Sequence, residues 1–113
     1  TEGSTSLASG AAYALGSALR AGADAESVEQ LRKLHASART ESDREKAIEA
    51  MGNSGRNEFI GSLKRELAHE DERVRATAAF SLRLIPGEEA RESLRAALSD
   101  TDPKVRASAA EAL

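Results

Sequence analysis

Val74, Ala78 and Leu82 recur at i, i+4 and i+8, and Val105, Ala109 and Leu113 repeat that spacing 31 residues later, with charged and small residues between. Apolar positions on one side of a 3.6-residue period predict an amphipathic helix in each place. Both helices have marked starts. Asp102 offers a side-chain oxygen to an orphan N–H, Pro103 suits the first helical position, and Asp71 stands in the same place before the first copy. Between the two, Pro86-Gly87 breaks the chain. A second stripe of Ala90, Leu94, Ala97 and Leu98 follows, with Glu88 and Glu89 at the positive end of its helix dipole. The unit is therefore a helical hairpin.

Residues 71–82 and 102–113 are identical at seven of twelve positions, where unrelated stretches would share roughly one or two. A period of this length predicts a solenoid, in which each hairpin is too small to bury its apolar face alone and stacks on the next. One period upstream, Arg44, Ala47, Met51, Leu63 and Leu67 fall on Arg75, Ala78, Leu82, Leu94 and Leu98. Ser42 to Glu45 reads as a capping box that starts this copy, and residues 52–55, bounded by Gly52 and Gly55, read as a tight turn. Further upstream, residues 1–6 predict a frayed lead-in. Leu7, Ala11, Ala14, Leu15 and Ala18 make a helical stripe that ends near Gly22. Asp24 is then the expected cap of a second helix with Val28, Leu31 and Leu34 or His35 on one side.

Ala14-Leu15-Gly16 corresponds to Ala50-Met51-Gly52 at a spacing of 36, so the first unit carries about five extra residues. The expectation is one all-α domain, an α-solenoid of antiparallel hairpins with repeats at about 5–38, 42–69 and 71–99 and a partial one at 102–113. The chain starts without Met and stops in mid-repeat, and reads as a piece of a longer protein. On that reading the stripe of residues 103–113 lacks its second helix, so this end either frays or self-associates through the uncapped C-terminal helix.

Asp71, Val74-Arg75, Ala78-Ala79 and Leu82 resemble the HEAT repeat, in particular the short bacterial form called PBS-lyase HEAT-like. The resemblance implies an armadillo-like solenoid that binds or scaffolds other proteins. It also implies a ladder of hydrogen bonds between repeats, formed here by Asp71, Arg75, Asp102 and Arg106, with each Arg four residues after an Asp. Two positions depart from the pattern: Arg83 stands where the family often has Gly, and Asp43 occupies the Val position. Residues 50–55 with Glu58-Phe59-Ile60 are similar to part of the helical domain of vitellogenin-type lipid transfer proteins, and Ala14-Leu15-Gly16-Ser17 is similar to a stretch preceding it there. That likeness implies a lipid-binding module as the alternative.

Composition supports an all-helical chain. Of 113 residues 23 are Ala, while Val and Ile total six, too few for a sheet-rich fold. The net charge of −3 is interspersed, and aromatics number three, Tyr13, Phe59 and Phe80. Neither fits a nucleic-acid footprint, which needs clustered Lys and Arg and stacking rings. No Cys is present, which excludes disulfide and thiol chemistry.

His69-Glu70 is the one dipeptide of the kind through which deoxyhypusine hydroxylase, a HEAT-like enzyme, holds two irons. In that family it follows the Val-Arg of the first helix. Here those positions hold Ala76-Thr77 and Ala107-Ser108, which cannot ligate iron. A relative of such a metal-dependent hydroxylase or lyase is thus a second alternative, with no metal or cofactor assigned. His35 shares no short spacing with a second ligand, and no Ser lies in a nucleophile elbow. The chain reads as no enzyme.

The second helices of such arrays usually line the inner, concave surface. Their polar positions are Glu29, Arg32 and Lys33, then Glu58, Lys64 and Arg65, then Glu89, Glu92 and Arg95. Mixed charge in these rows points to a protein or peptide partner, with no nucleic acid and no membrane span.

Overall fold

The computed structural model describes residues 2–22 and 25–113, with side chains from residue 10 onward. Asp24, the expected cap, lies outside them, as does the side chain of Leu7. Among the described residues there are seven α-helices and no strand: α1 (Glu2–Ala21), α2 (Ala25–Ala36), α3 (Glu41–Ser54), α4 (Ile60–Glu66), α5 (Glu72–Ser81), α6 (Glu88–Ala97) and α7 (Pro103–Ala112). Short 3-10 turns at Asn57–Phe59 and Leu82–Leu84 lead into α4 and out of α5.

The first helices, α1, α3, α5 and α7, pack side by side in one layer. The second helices, α2, α4 and α6, form another, each wedged against the first helix of the next hairpin. The molecule measures 36 × 31 × 18 Å, and its thin dimension suits two helix layers at the usual spacing of about 8–10 Å. This is an all-α repeat fold.

Sequence signals set most boundaries. Asp71 accepts a hydrogen bond from Arg73 N–H and Asp102 one from Lys104 N–H, with Pro103 opening α7. The start of α3 is corrected by two residues. Thr40, in extended conformation, is the cap and accepts from Asp43 N–H, so Ser42 is already helical. The expected turn at residues 52–55 narrows to Gly55, whose φ of 67° ends α3, while Gly52 lies inside the helix. Residues 2–6, expected as a lead-in, belong to α1.

The core follows the predicted faces of the later repeats. Val74, Ala78 and Leu82 are fully buried, as are Val105 and Ala109 of α7. Of the C-terminal stripe, Val105 and Ala109 are covered because α7 packs on α5 and α6. Only Leu113, at 53% exposure, and Leu98, at 39%, stand out from their predicted stripes. In α1 the buried positions are Ala12, Gly16 and Leu19 rather than Ala11, Ala14 and Ala18. An alanine-rich helix carries little information about which side faces inward. Gly16 decides it: a β-carbon there would fall 2.6 Å from Ala50 O, so α1 and α3 touch through bare backbone.

Candidate functional site

The loops joining successive hairpins are held by arginines of the first layer. Arg75 Nη1 donates to His69 O (2.8 Å) and Glu70 O (3.1 Å), while Nε and Nη2 reach Asp100 Oδ2 (3.1 Å) and Oδ1 (3.2 Å). One side chain thus ties the loop before its own helix to the loop one repeat later. Arg106 repeats the carbonyl half, to Asp100 O (2.8 Å) and Thr101 O (3.2 Å). The sequence paired each Arg with the Asp four residues earlier. In the structure Asp71 and Asp102 act as caps, and the carboxylate that meets Arg75 is Asp100.

Burial opposes the charged form of Asp100, but the Asp102 N–H and the Arg75 guanidinium outweigh it and hold its carboxyl below the usual range. Asp71, bound by the Arg73 side chain and then by Arg73 N–H, is lowered to about 2.

One period before Asp100 stands His69, and the pattern changes with it. His69 Nδ1 accepts from Asp71 N–H (3.0 Å), as Asp100 accepts from Asp102 N–H. Arg44, the counterpart of Arg75, instead donates to Glu66 Oε2 (2.9 Å), which also lies 2.7 Å from His35 Nε2. Burial pushes the Glu66 carboxyl up, yet the bonds from His35 and Arg44 prevail and it sits below its ordinary value. Since a carboxylate only accepts, His35 Nε2 carries the hydrogen. His69 Nε2 faces Glu41 Oε2 at 3.6 Å, a buried oxygen without a hydrogen bond among the described residues. No three His, Cys, Asp or Glu side chains among the described residues converge as a metal-binding group.

All nine charged residues expected on the second helices are exposed, with Glu58 in the 3-10 turn that leads into α4. Several satisfy one another. Lys64 Nζ donates to Glu89 Oε2 (3.0 Å), Arg95 to Glu88, Arg32 Nη2 to Glu58 O (2.8 Å), and Arg56 to the Glu58 carboxylate (2.9 and 3.2 Å). Arg65 Nη2 lies 3.4 Å from Ser62 Oγ. Glu29, Lys33 and Glu92 make no such contact among the described residues.

Residues 60–113, which hold α4 to α7 and the Arg75 bridge, match the family model described as HEAT repeats. These residues are HEAT repeats. No curated protein matches the chain. Gly16, Gly52 and Arg83 occupy equivalent places in successive hairpins by the 36- and 31-residue offsets. A β-carbon at Gly52 would lie 2.8 Å from Ser81 Cβ and Ser81 O, just as one at Gly16 would strike Ala50. Arg83 cannot make such a contact. The backbone passes into a 3-10 turn there, and the Arg83 guanidinium lies 3.8 Å over the exposed Phe80 ring while Nη1 donates to Phe80 O (2.9 Å).

Beside this stack the first layer opens into a groove of about 360 Å³ that crosses α3, α5 and α7. Tyr13, Glu49, Asn53, Thr77, Phe80 and Glu111 are among its lining. Tyr13 O–H donates to Glu49 Oε1 (3.2 Å), and the Glu49 charge, then burial, push the phenol up. The sequence reading passed over this face. Its signal was present in Glu45, Glu49 and Asn53, four residues apart on α3, but charged and amide side chains on an exposed helix face read as ordinary solvation.

Proposed function

We propose that the chain is a non-catalytic module that binds or scaffolds other proteins. The HEAT repeats at residues 60–113 support this reading. The observation that carries it is the display of nine exposed charged residues of both signs on α2, on α6 and on α4 with the turn that leads into it. A surface carrying charges of both signs selects partners by complementary charge and orients them. No helix among the described residues is long and apolar enough to cross a membrane.

The lipid-binding alternative needs an apolar groove. The groove of the first layer is of mixed lining, with Glu49, Asn53 and Glu111 beside Phe80 and Leu84, and desolvating those polar groups under an acyl chain would be costly.

The test uses the purified chain as bait. A protein retained by it is purified in turn and titrated against the wild-type chain and against Lys64→Glu with Arg95→Glu, with circular dichroism as the folding control. Reversible binding in a fixed ratio supports the module reading. Failure to retain any protein at micromolar bait, or turnover of a retained protein by the chain, overturns it.

A further inference from the structure

Two of the three aromatic side chains stand on one groove. Tyr13 is 44% and Phe80 40% exposed, whereas Phe59 is fully buried. We infer that this groove on the first layer docks an extended peptide segment that carries a Lys or Arg beside an aliphatic or aromatic side chain. The inference rests on the protein-binding reading and assigns it a site away from the charged rows of the second layer.

Shape sets the scale. A groove of about 360 Å³ is at the small end of ligand pockets and suits one or two side chains rather than a folded domain. The rings supply apolar area, since covering half-exposed aromatic side chains is a main source of interface energy.

The polar lining selects a peptide. The Asn53 amide, the Ser108 hydroxyl and the Glu111 carboxylate line the groove and make no hydrogen bond to any described residue. An amide offers both donor and acceptor and matches the C=O and N–H of a peptide unit. An acyl chain would leave all three groups stranded.

Charge selects the side chain. Glu49 and Glu111 are the acids of the lining, against one cation, Arg83. Arg83 is turned onto the Phe80 ring and bonds Phe80 O, so it neutralises neither carboxylate. A Lys or Arg of the partner is drawn to this acidic lining, at Glu49 or at Glu111. An acidic peptide meets the same carboxylates as repulsion. The second layer differs in having much of its charge already paired.

The experiment pans a random twelve-residue peptide phage library on the whole chain, then titrates the enriched peptide into the isotope-labelled chain by NMR. Basic peptides with an apolar neighbour are expected, with shifts at Tyr13, Asn53, Thr77 and Phe80. Affinity should fall at least tenfold in Phe80→Ala and in Glu111→Lys and stay within twofold in Lys64→Glu with Arg95→Glu. Glu111 is exposed, so its variant keeps the test sound if Phe80→Ala misfolds. Acidic consensus peptides, or no enrichment, overturn the groove. Shifts confined to Glu29, Lys64 and Arg95 also overturn it, but leave the protein-binding reading standing.

Discussion

Arg75 and Asp100 form a two-point ion pair between successive repeats, Nε to Oδ2 at 3.1 Å and Nη2 to Oδ1 at 3.2 Å, with both side chains about 15% exposed. Removing the Arg strands a largely buried carboxylate and two loop carbonyls. Arg75→Ala is expected to cost about 2–3 kcal/mol, against about 1 kcal/mol for Arg106→Ala, which holds carbonyls alone. Urea unfolding of the two variants measures the difference. Equal midpoints would mean that the carboxylate contributes nothing.

Glu66 makes stability depend on pH in the acid range. Its folded pKa lies below the ordinary value of 4.5, so its contribution is complete above about pH 4.5 and is lost as pH falls through the folded pKa. Glu66→Gln deletes this contribution while leaving those of Asp71 and Asp100, which are lowered as well. As pH falls from about 5 through the folded pKa the wild type should therefore lose more stability than the variant. Parallel pH profiles of the unfolding free energy would show that the His35–Glu66–Arg44 cluster has no such role.

Two glycines should respond to the same substitution with opposite sign. At Gly61 an added β-carbon meets only the tip of Arg65 at 3.8 Å, and Gly61→Ala should stabilise α4 by up to about 1 kcal/mol. At Gly52 it strikes Ser81, and Gly52→Ala should cost about 1–3 kcal/mol despite its better helix propensity. Thermal melts of the two variants decide it, and a stabilised Gly52→Ala would show that α3 and α5 separate freely.

The hairpins of residues 71–113 were legible because Asp71, Asp102, Pro103 and the Val-Ala-Leu stripes are local signals repeated at one offset. Partners across repeats were not. Arg75 meets Asp100 25 residues away, and His35 meets Glu66 at 31, distances at which no turn or helix geometry pairs residues. The second case was hidden inside the period itself, since His35 and Glu66 occupy equivalent places on adjacent second helices. In α1 the inward side escaped notice because Ala11, Ala14 and Ala18 differ from Ala12 only in what a neighbouring helix happens to touch. The groove was missed for a related reason. Tyr13, Asn53, Phe80 and Glu111 sit on four different helices and become neighbours only through stacking.

The last two repeats are equivalent position by position, and comparing them shows what a further helix would cover. Leu82 is fully buried and its counterpart Leu113 is 53% exposed; Ala79 is fully buried and Ala110 exposed; Leu67 is half-buried and Leu98 is 39% exposed. An opening of about 240 Å³ lies between α6 and the end of α7, lined by Ile85, Ala90, Leu94 and Leu113. Because Leu113 corresponds to Leu82, a copy of residues 83–100 appended after Leu113 would complete the hairpin in register. Covering the exposed halves of two leucines should add about 2 kcal/mol, and nearest-neighbour stacking should pass that gain to α7 as slower amide exchange. In the extended chain Leu113→Glu should cancel most of the increase. An unchanged denaturation midpoint on extension would mean that Leu98 and Leu113 belong to the outer surface and that the stack does not propagate past α7.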